Sequence, residues 1–332
     1  MGLLDRLEAE RAARESLRNR LTTATLARLT VPPPDPATPN TFALQSFPAL
    51  TTRPDQIKHL RQTILNLAVR GKLVEQDPTD EPAAELLGRI AAKKAELVKA
   101  GLSKREKPPE RASFPFNVPS TWAWCALGQL CKLITKGSSP KWQGISYVGP
   151  DDGLIFITSE NVGHFMLRKL DELKYVELRF KEIEPRSMLQ KGDILINLVG
   201  ASIGRTAVYD LDQEANINQA VSLIRLVDPI FGSSIDYLLM YLNCDLAVDM
   251  MMGSRVITAQ PDSSLANVNG FPIPLPPLAE QQRIVARVDV LMALCDSLEA
   301  SLTTANTTRQ RLLESLLHEA LAPIETKLGE PA

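Results

Sequence analysis

The sequence of 332 residues predicts an α+β protein: one globular mixed α/β domain flanked by long, coiled-coil-forming helices. Three observations predict it. Both ends, residues 1–30 and 277–322, are rich in Leu, Ala, Arg and Glu and have no interior proline, as long helices require. The stretch 113–276 reads as short β-type runs separated by turns. Proline-rich segments that cannot be helical separate these textures.

The segments follow in order. Residues 1–30 form a first long helix, and 31–54, with Val31-Pro-Pro-Pro-Asp-Pro, a linker. Residues 55–112 hold a helical pair. Ile57, Leu60, Ile64 and Leu67 share one face of a helix that stops near Gly71. Asp80-Glu-Pro starts a second, whose Leu86, Leu87, Ile90, Leu97 and Val98 form a stripe ending near Gly101. Thirteen basic residues against nine acidic ones between Arg53 and Arg111, with the run Lys104-Arg105-Glu106-Lys107, make either a solvated face or a polyanion contact.

Within the globular domain, 113–276, strands are expected at Leu154-Ile-Phe-Ile-Thr, Asp193-Ile-Leu-Ile-Asn-Leu-Val, Thr206-Ala-Val-Tyr and Val221-Ser-Leu-Ile-Arg-Leu-Val, and one helix between Ser234 and Met252. Pro274-Leu-Pro-Pro leads, extended, into the last helix, 277–322, followed by a tail, 323–332. There Ile284, Val288, Leu291, Cys295, Leu298 and Leu302 alternate at spacings of four and three, and the pattern resumes at Leu312 and Leu316. Such a seam calls for a partner helix. The two ends also match each other: Leu3, Asp5, Leu7, Glu8 and Ala9 correspond to Leu294, Asp296, Leu298, Glu299 and Ala300.

Composition excludes several classes. Lys and Arg number 37 against 39 acids, so polyanion contact requires a local patch. No apolar run approaches the roughly 18 residues of a membrane span, and the charged N-terminus lacks a secretory core, so the expectation is a cytoplasmic protein without membrane contact. Cys125, Cys131, Cys244 and Cys295, and His59, His164 and His318, are too scattered for a metal motif and are expected as reduced, mostly buried thiols and isolated imidazoles. Gly200-Ala-Ser-Ile-Gly204-Arg is one residue short for a phosphate loop and carries Arg where Lys belongs. No catalytic or metal-binding constellation stands out, and no Asn/Asp-Pro-Pro-aromatic tetrapeptide is present.

Several motifs together resemble one family. Pro276-Pro-Leu-Ala-Glu-Gln-Gln-Arg-Ile-Val-Ala-Arg-Val-Asp with Leu291-Met-Ala-Leu-Cys-Asp-Ser-Leu-Glu, the stretch Leu60-Arg-Gln-Thr-Ile-Leu-Asn-Leu-Ala-Val-Arg-Gly-Lys-Leu-Val and the entry Pro115-Phe-Asn-Val-Pro-Ser-Thr-Trp-Ala-Trp are similar to the conserved regions of type I restriction–modification specificity (S) subunits. Gly192-Asp-Ile-Leu-Ile-Asn-Leu-Val-Gly-Ala-Ser-Ile-Gly-Arg and Asn216-Ile-Asn-Gln219 resemble the core of that family's target-recognition domain. Members usually carry two such domains, each reading half of a split DNA site, held apart by two antiparallel helices. With one recognition domain, this chain is expected as the C-terminal half, pairing with itself or with a complementary half-subunit. The resemblance implies double-stranded DNA, an adenine methyltransferase subunit and a restriction motor-nuclease subunit as partners. It implies no catalysis and no cofactor in this chain, with S-adenosylmethionine, ATP and Mg on the partner subunits. A structural coiled-coil adaptor with a protein-binding head is the alternative.

Reading duplex DNA requires loops bearing amides, guanidinium and hydroxyl groups for base edges, and cations for phosphates. Lys136, Ser138, Ser139, Lys141 and Trp142 in one loop suit it, as do Ser159 and Asn161 after another strand. Asn197, Ser202 and Arg205 surround a glycine turn; Arg205 pairs either with a guanine or with Asp193 or Glu214. Asn216, Asn218 and Gln219 either read bases or satisfy turn carbonyls. Against DNA stands the balance of residues 113–277, thirteen basic and seventeen acidic.

Overall fold

The computed structural model describes residues 54–102, 115–227, 232–253 and 261–321, with scattered helical positions between Arg6 and Ala24. Nearly all of the expected linker, the Lys104 to Lys107 run and the tail lie outside the described residues. The chain divides into two compact units, Ile64–Asp289 and the combination of Met1–Thr63 with Val290–Ala332. These cut across the segment boundaries read from the sequence at 112/113 and 276/277. The reason is packing: most of the helical pair and the start of the last helix fold onto the head.

Helix α1 (Pro54–Ala68) buries Ile57, Leu60, Ile64 and Leu67, the expected stripe. The chain then turns at Gly71, where φ is +68° and a Cβ would stand 2.5 Å from Pro119, so only glycine fits. Helix α2 (Ala83–Lys99) begins directly after Pro82, buries Leu86 and Ile90 and leaves Leu87, Leu97 and Val98 half-buried. The Ala83 N–H donates to the Thr121 carbonyl (2.9 Å) and Lys94 Nζ to the Gly128 carbonyl (2.7 Å), tying α2 to the head.

The head contains three sheets among the described residues, with helices α3 (Leu127–Leu130), α4 (Phe180–Ile183) and α7 (Pro261–Asn269) between strands. Strands β2 (Cys131–Lys136), β9 (Val221–Leu226), β6 (Ile194–Asn197) and β7 (Thr206–Val208) form an antiparallel sheet in that order. Strands β3 (Tyr147–Val148), β5 (Lys174–Glu177), β4 (Gly153–Ile157) and β8 (Ala215–Ile217) form a second, in which β4 and β8 run parallel. The run Leu154-Ile-Phe-Ile is apolar throughout because both faces of β4 are covered. Ile155 and Ile157 join Leu195, Tyr209, Ile217 and Leu223 in the main core, while Leu154 and Phe156 join Ile145, Val176 and Phe180 behind the sheet.

The extended Pro274 segment proves to be a strand. Strand β10 (Pro272–Leu275) pairs antiparallel with β1 (Ala123–Ala126), with Trp124 opposite Pro274 and Ala126 opposite Pro272. Helix α5 (Gly232–Leu242) presents two buried tyrosines one turn apart: Tyr237 donates its hydroxyl to the Pro274 carbonyl (2.6 Å) and Tyr241 to that of Pro272 (2.8 Å). The single helix expected across 234–252 is broken. Asn243 turns its side-chain amide back onto the Leu239 carbonyl and across to the Thr206 carbonyl (2.9 Å each), and α6 (Asp245–Gly253) starts afresh. All four cysteines are buried thiols, and burial pushes Cys125 and Cys244 up to about 12, so they are inert as nucleophiles.

The last helix, here α8 (Leu278–Leu321), spans 44 residues. Its proposed partner seam requires correction. Ile284 and Val288 are buried in the chain's own head, and Cys295 is buried beside Arg61, whose guanidinium donates to Asp296 and Glu299 at 2.6 Å each. Leu291, Leu298 and Leu302 are half-buried, while Leu312 and Leu316 are 60% and 54% exposed. The N-terminal part of the seam is thus spent within the chain, because a helix leaving a core uses its first apolar turns to anchor itself. Of the seam residues, only Leu312 and Leu316 are exposed among the described residues.

Near the start of α8, buried Glu280 accepts hydrogen bonds from Trp122 Nε1 (2.9 Å) and from the Gln76 amide, and Arg283 holds Asp80 at 2.6 Å. Burial raises the Glu280 carboxyl above its usual range, against the opposing pull of these donors. A raised folded-state value favours the fold at low pH and withdraws that support as pH rises through it. Glu280→Gln keeps an acceptor for Trp122, with Gln76 turning its amide over to match. This variant is expected to lose less stability than the parent between acidic and neutral pH, as urea titrations at several pH values would measure. An equal loss in both proteins contradicts the assignment.

Candidate nucleic-acid interface

The candidate loops leave the two four-stranded sheets at one rim. Parallel pairing of β4 with β8 brings their C-terminal ends side by side, and the Asn218 N–H donates to the Ile157 carbonyl (3.0 Å). Gly137, just after β2, lies so close to this turn that a Cβ on it would stand 1.8 Å from the Ile217 carbonyl oxygen. Asn197, the last residue of β6, donates its Nδ2 to the Ser159 carbonyl (2.9 Å), and the Leu198 N–H donates to the Ala220 carbonyl (2.9 Å). The loops after β2, β4, β6 and β8 are therefore joined by backbone-level contacts into one edge of the head.

The structure sorts the predicted residues on that edge into inward and outward groups. Asn161 is buried: its Oδ1 accepts from the Thr158 N–H (3.0 Å) and hydroxyl (2.9 Å). Asn216 is fully buried, accepting from the Ser187 hydroxyl and donating to the Glu184 carbonyl (3.2 Å). Asn197 is fully buried too, and its Oδ1 has no partner among the described residues. These three amides are engaged within the edge, which corrects the expectation of base contact for Asn161 and Asn197 and favours, for Asn216, the alternative of satisfying turn carbonyls. Buried amides at strand ends are taken up by carbonyls and hydroxyls that the strands leave unpaired. Asn218 is half-buried and accepts from the Ala220 N–H (3.1 Å).

The outward group is smaller. Trp142 is 77% exposed at the end of a 3-10 turn (Pro140–Gln143), with exposed Lys141 beside it. Gln143 fixes this turn, donating to the Ser138 hydroxyl (3.1 Å) and to Glu184 (3.0 Å). Lys136, Ser138, Ser139, Ser159 and Ser202 are half-buried, and Gln219 is exposed. Arg205 is half-buried, and neither expected carboxylate takes it: Asp193 pairs with Arg225 (2.7 Å) and Glu214 with Lys181 (3.2 Å). Among the described residues Arg205 has no ion-pair partner. The glycine turn beside it has φ of +74° at Gly200 and +80° at Gly204, as tight turns require.

Sequence reading passed over one element here, the hairpin tip at Phe165 and Met166, which are 41% and 67% exposed. Two large apolar residues directly after Gly163-His164, with no periodic partner, were the available signal. Among the described residues no group of His, Cys, Asp and Glu is placed to hold a metal ion, and no helix is long and apolar enough to cross a membrane.

Comparison with known proteins agrees with the family resemblance. Residues 119–305, more than half of the chain, match the family described as type I restriction modification DNA specificity domain. The specificity subunit of the Escherichia coli type I restriction enzyme EcoAI is 36% identical over 274 residues, covering 79% of this chain and 44% of that protein. That of EcoEI, also from Escherichia coli, is 32% identical over 291 residues, covering 83% and 47%. The chain spans about half the length of these curated relatives. Among solved structures, the HsdS subunit from Thermoanaerobacter tengcongensis aligns with a TM-score of 0.45 at 21% identity, covering 80% of this chain and 56% of that one. With motif, matched domain and relatives concordant, the chain belongs to the family of type I restriction–modification specificity subunits.

Proposed function

We propose that this chain reads one half of a split DNA site on behalf of catalytic subunits encoded elsewhere. The observation that carries the reading is the rim, where four strand-end loops are joined; Arg205, with no ion-pair partner among the described residues, and exposed Lys141 and Trp142 lie on these loops. A guanidinium free of protein carboxylates is available for bidentate contact with guanine in the major groove. Lys141 and Trp142 suit phosphate and sugar contacts.

The acidic balance of the head supports a division of labour. A lone DNA binder is normally basic, so much of the affinity belongs to partners that clamp the duplex. An adenine methyltransferase subunit and a motor-nuclease subunit fill that role. They carry S-adenosylmethionine, ATP and Mg, and this chain takes no chemical step itself. Leu312 and Leu316 offer a helical contact to a second copy or to a complementary half-subunit.

The test is methylation mapping. Genomic DNA from cells expressing this chain with its methyltransferase is expected to carry adenine methylation at a defined site, absent when the chain is omitted. Arg205→Ala is expected to relax the choice at one base pair by about ten- to a hundredfold, while co-purification with the methyltransferase persists. An unchanged site in that variant removes Arg205 from readout. A stable homo-oligomer with no effect on methylation favours the adaptor alternative.

A further inference from the structure

The hairpin between Asn161 and Arg168 ends in a tight turn that only its surroundings keep in place. Val162 and Leu167 form a bridge, and the Met166 N–H donates to the His164 carbonyl (2.8 Å) across Phe165, whose φ is +67°. A three-residue turn of this kind centred on a bulky aromatic is strained. It is held by the neighbouring sheet: the Phe165 N–H donates to the Thr206 carbonyl (2.8 Å), and its own carbonyl accepts from the Val208 N–H (3.2 Å). His164 Nδ1 lies 3.0 Å from Asn243 Oδ1, and Asn243 in turn donates to Thr206.

The result is a fixed tip with its polar backbone consumed. The amides of Phe165 and Met166 are donated inside the protein, and the carbonyls of His164, Phe165 and Met166 each accept from the protein, the last from the Gly163 N–H (3.2 Å). Facing outward are the apolar side chains of Phe165 and Met166, beside exposed His164, whose Nδ1 is engaged by Asn243. The tip belongs to the rim: Thr206, its anchor, directly follows Arg205, and its hairpin starts from the Ser159 to Asn161 turn that Asn197 holds. Arg168 follows Met166 by two residues, and Arg205 precedes Ala207, the bridge partner of Phe165, by two.

We infer that the Phe165–Met166 tip is a further base-reading element, which recognises the C5-methyl group of thymine within the half-site. The argument is complementarity. In the major groove every base edge offers hydrogen-bonding groups except at one apolar feature, the thymine methyl. A rigid tip with no backbone group left to donate or accept discriminates through that feature, and its rigidity avoids an ordering cost on binding. This rests on the reading of the rim as a DNA interface.

The experiment uses the full chain with its methyltransferase and duplexes carrying the half-site mapped by methylation, each thymine being replaced in turn by deoxyuridine. For the parent chain, removing one particular methyl is expected to weaken binding about three- to fivefold. Phe165→Ala and Met166→Ala are each expected to abolish that difference; Met166 is not at a positive φ, so its variant guards against misfolding at Phe165. Binding indifferent to every replacement overturns the proposal and leaves the half-site reading standing. So does sensitivity that survives in both variants, or a loss of assembly with the methyltransferase in variants that keep the sensitivity. Failure of the parent chain to distinguish the mapped duplex from a scrambled one overturns both readings together.

Discussion

Replacing Arg225 with alanine is expected to cost the head about 3–5 kcal/mol. Its guanidinium donates twice to Asp193, from Nε and Nη2 at 2.7 Å each, and once to the Met188 carbonyl (2.8 Å). Asp193 is 1% exposed and also accepts from the Gln190 N–H (2.7 Å). Without the cation, a carboxylate stays buried at the entrance to β6, one residue from where Ile194 pairs with Ile224 of β9. The penalty is the stranded charge more than the lost attraction, so the pair Arg225→Met with Asp193→Leu is expected to recover most of the stability. Urea unfolding of the parent, single and double variants measures this. A single variant with an unchanged midpoint would falsify it.

The second large effect is expected at Gly137. A methyl group there would meet the Ile217 carbonyl oxygen at 1.8 Å, its carbon at 2.4 Å and the Asn218 carbonyl oxygen at 2.6 Å. Those are backbone atoms of the turn after β8, which cannot rotate away as a side chain would. Gly137→Ala therefore has to part the loop carrying Lys141 and Trp142 from the Asn218 turn. About 1–3 kcal/mol of stability is expected to go with it, the usual cost of overpacking. Site choice should suffer more than stability, because ångström-scale displacement is enough to misplace a reading group. Methylation mapping beside thermal unfolding separates the two. A variant that melts lower yet methylates the parental site would show that the close approach serves folding alone.

Much of the architecture was legible because it depends on local patterns. The stripe from Ile57 to Leu67, the apolar run in β4 and the long final helix follow from periodicity and from where prolines stop it. The strand at Pro272 was not, since two prolines within four residues argue against pairing until a two-stranded ribbon is considered. The site was harder to read because its chemistry depends on distant partners. Asn161, Asn197 and Asn216 have the composition of base readers, but Lys169, Ser159, Ser187 and Glu184 take them inward. Arg205 was ambiguous for the same reason, and the carboxylates that might have claimed it are held by Arg225 and Lys181. The seam at Ile284, Val288 and Cys295 looked intermolecular because heptad spacing does not say which surface will cover it.

The proline ribbon has a consequence for solubility. Residues 272 and 274 bring no N–H to β10, and their carbonyls are already occupied by phenol hydroxyls from α5. A foreign segment there would find no N–H at either proline, and carbonyls that already accept from buried phenols. That edge of β10 is buried beneath α5 and brings no proline N–H, so it offers a poor template for strand addition without any charged gatekeeper.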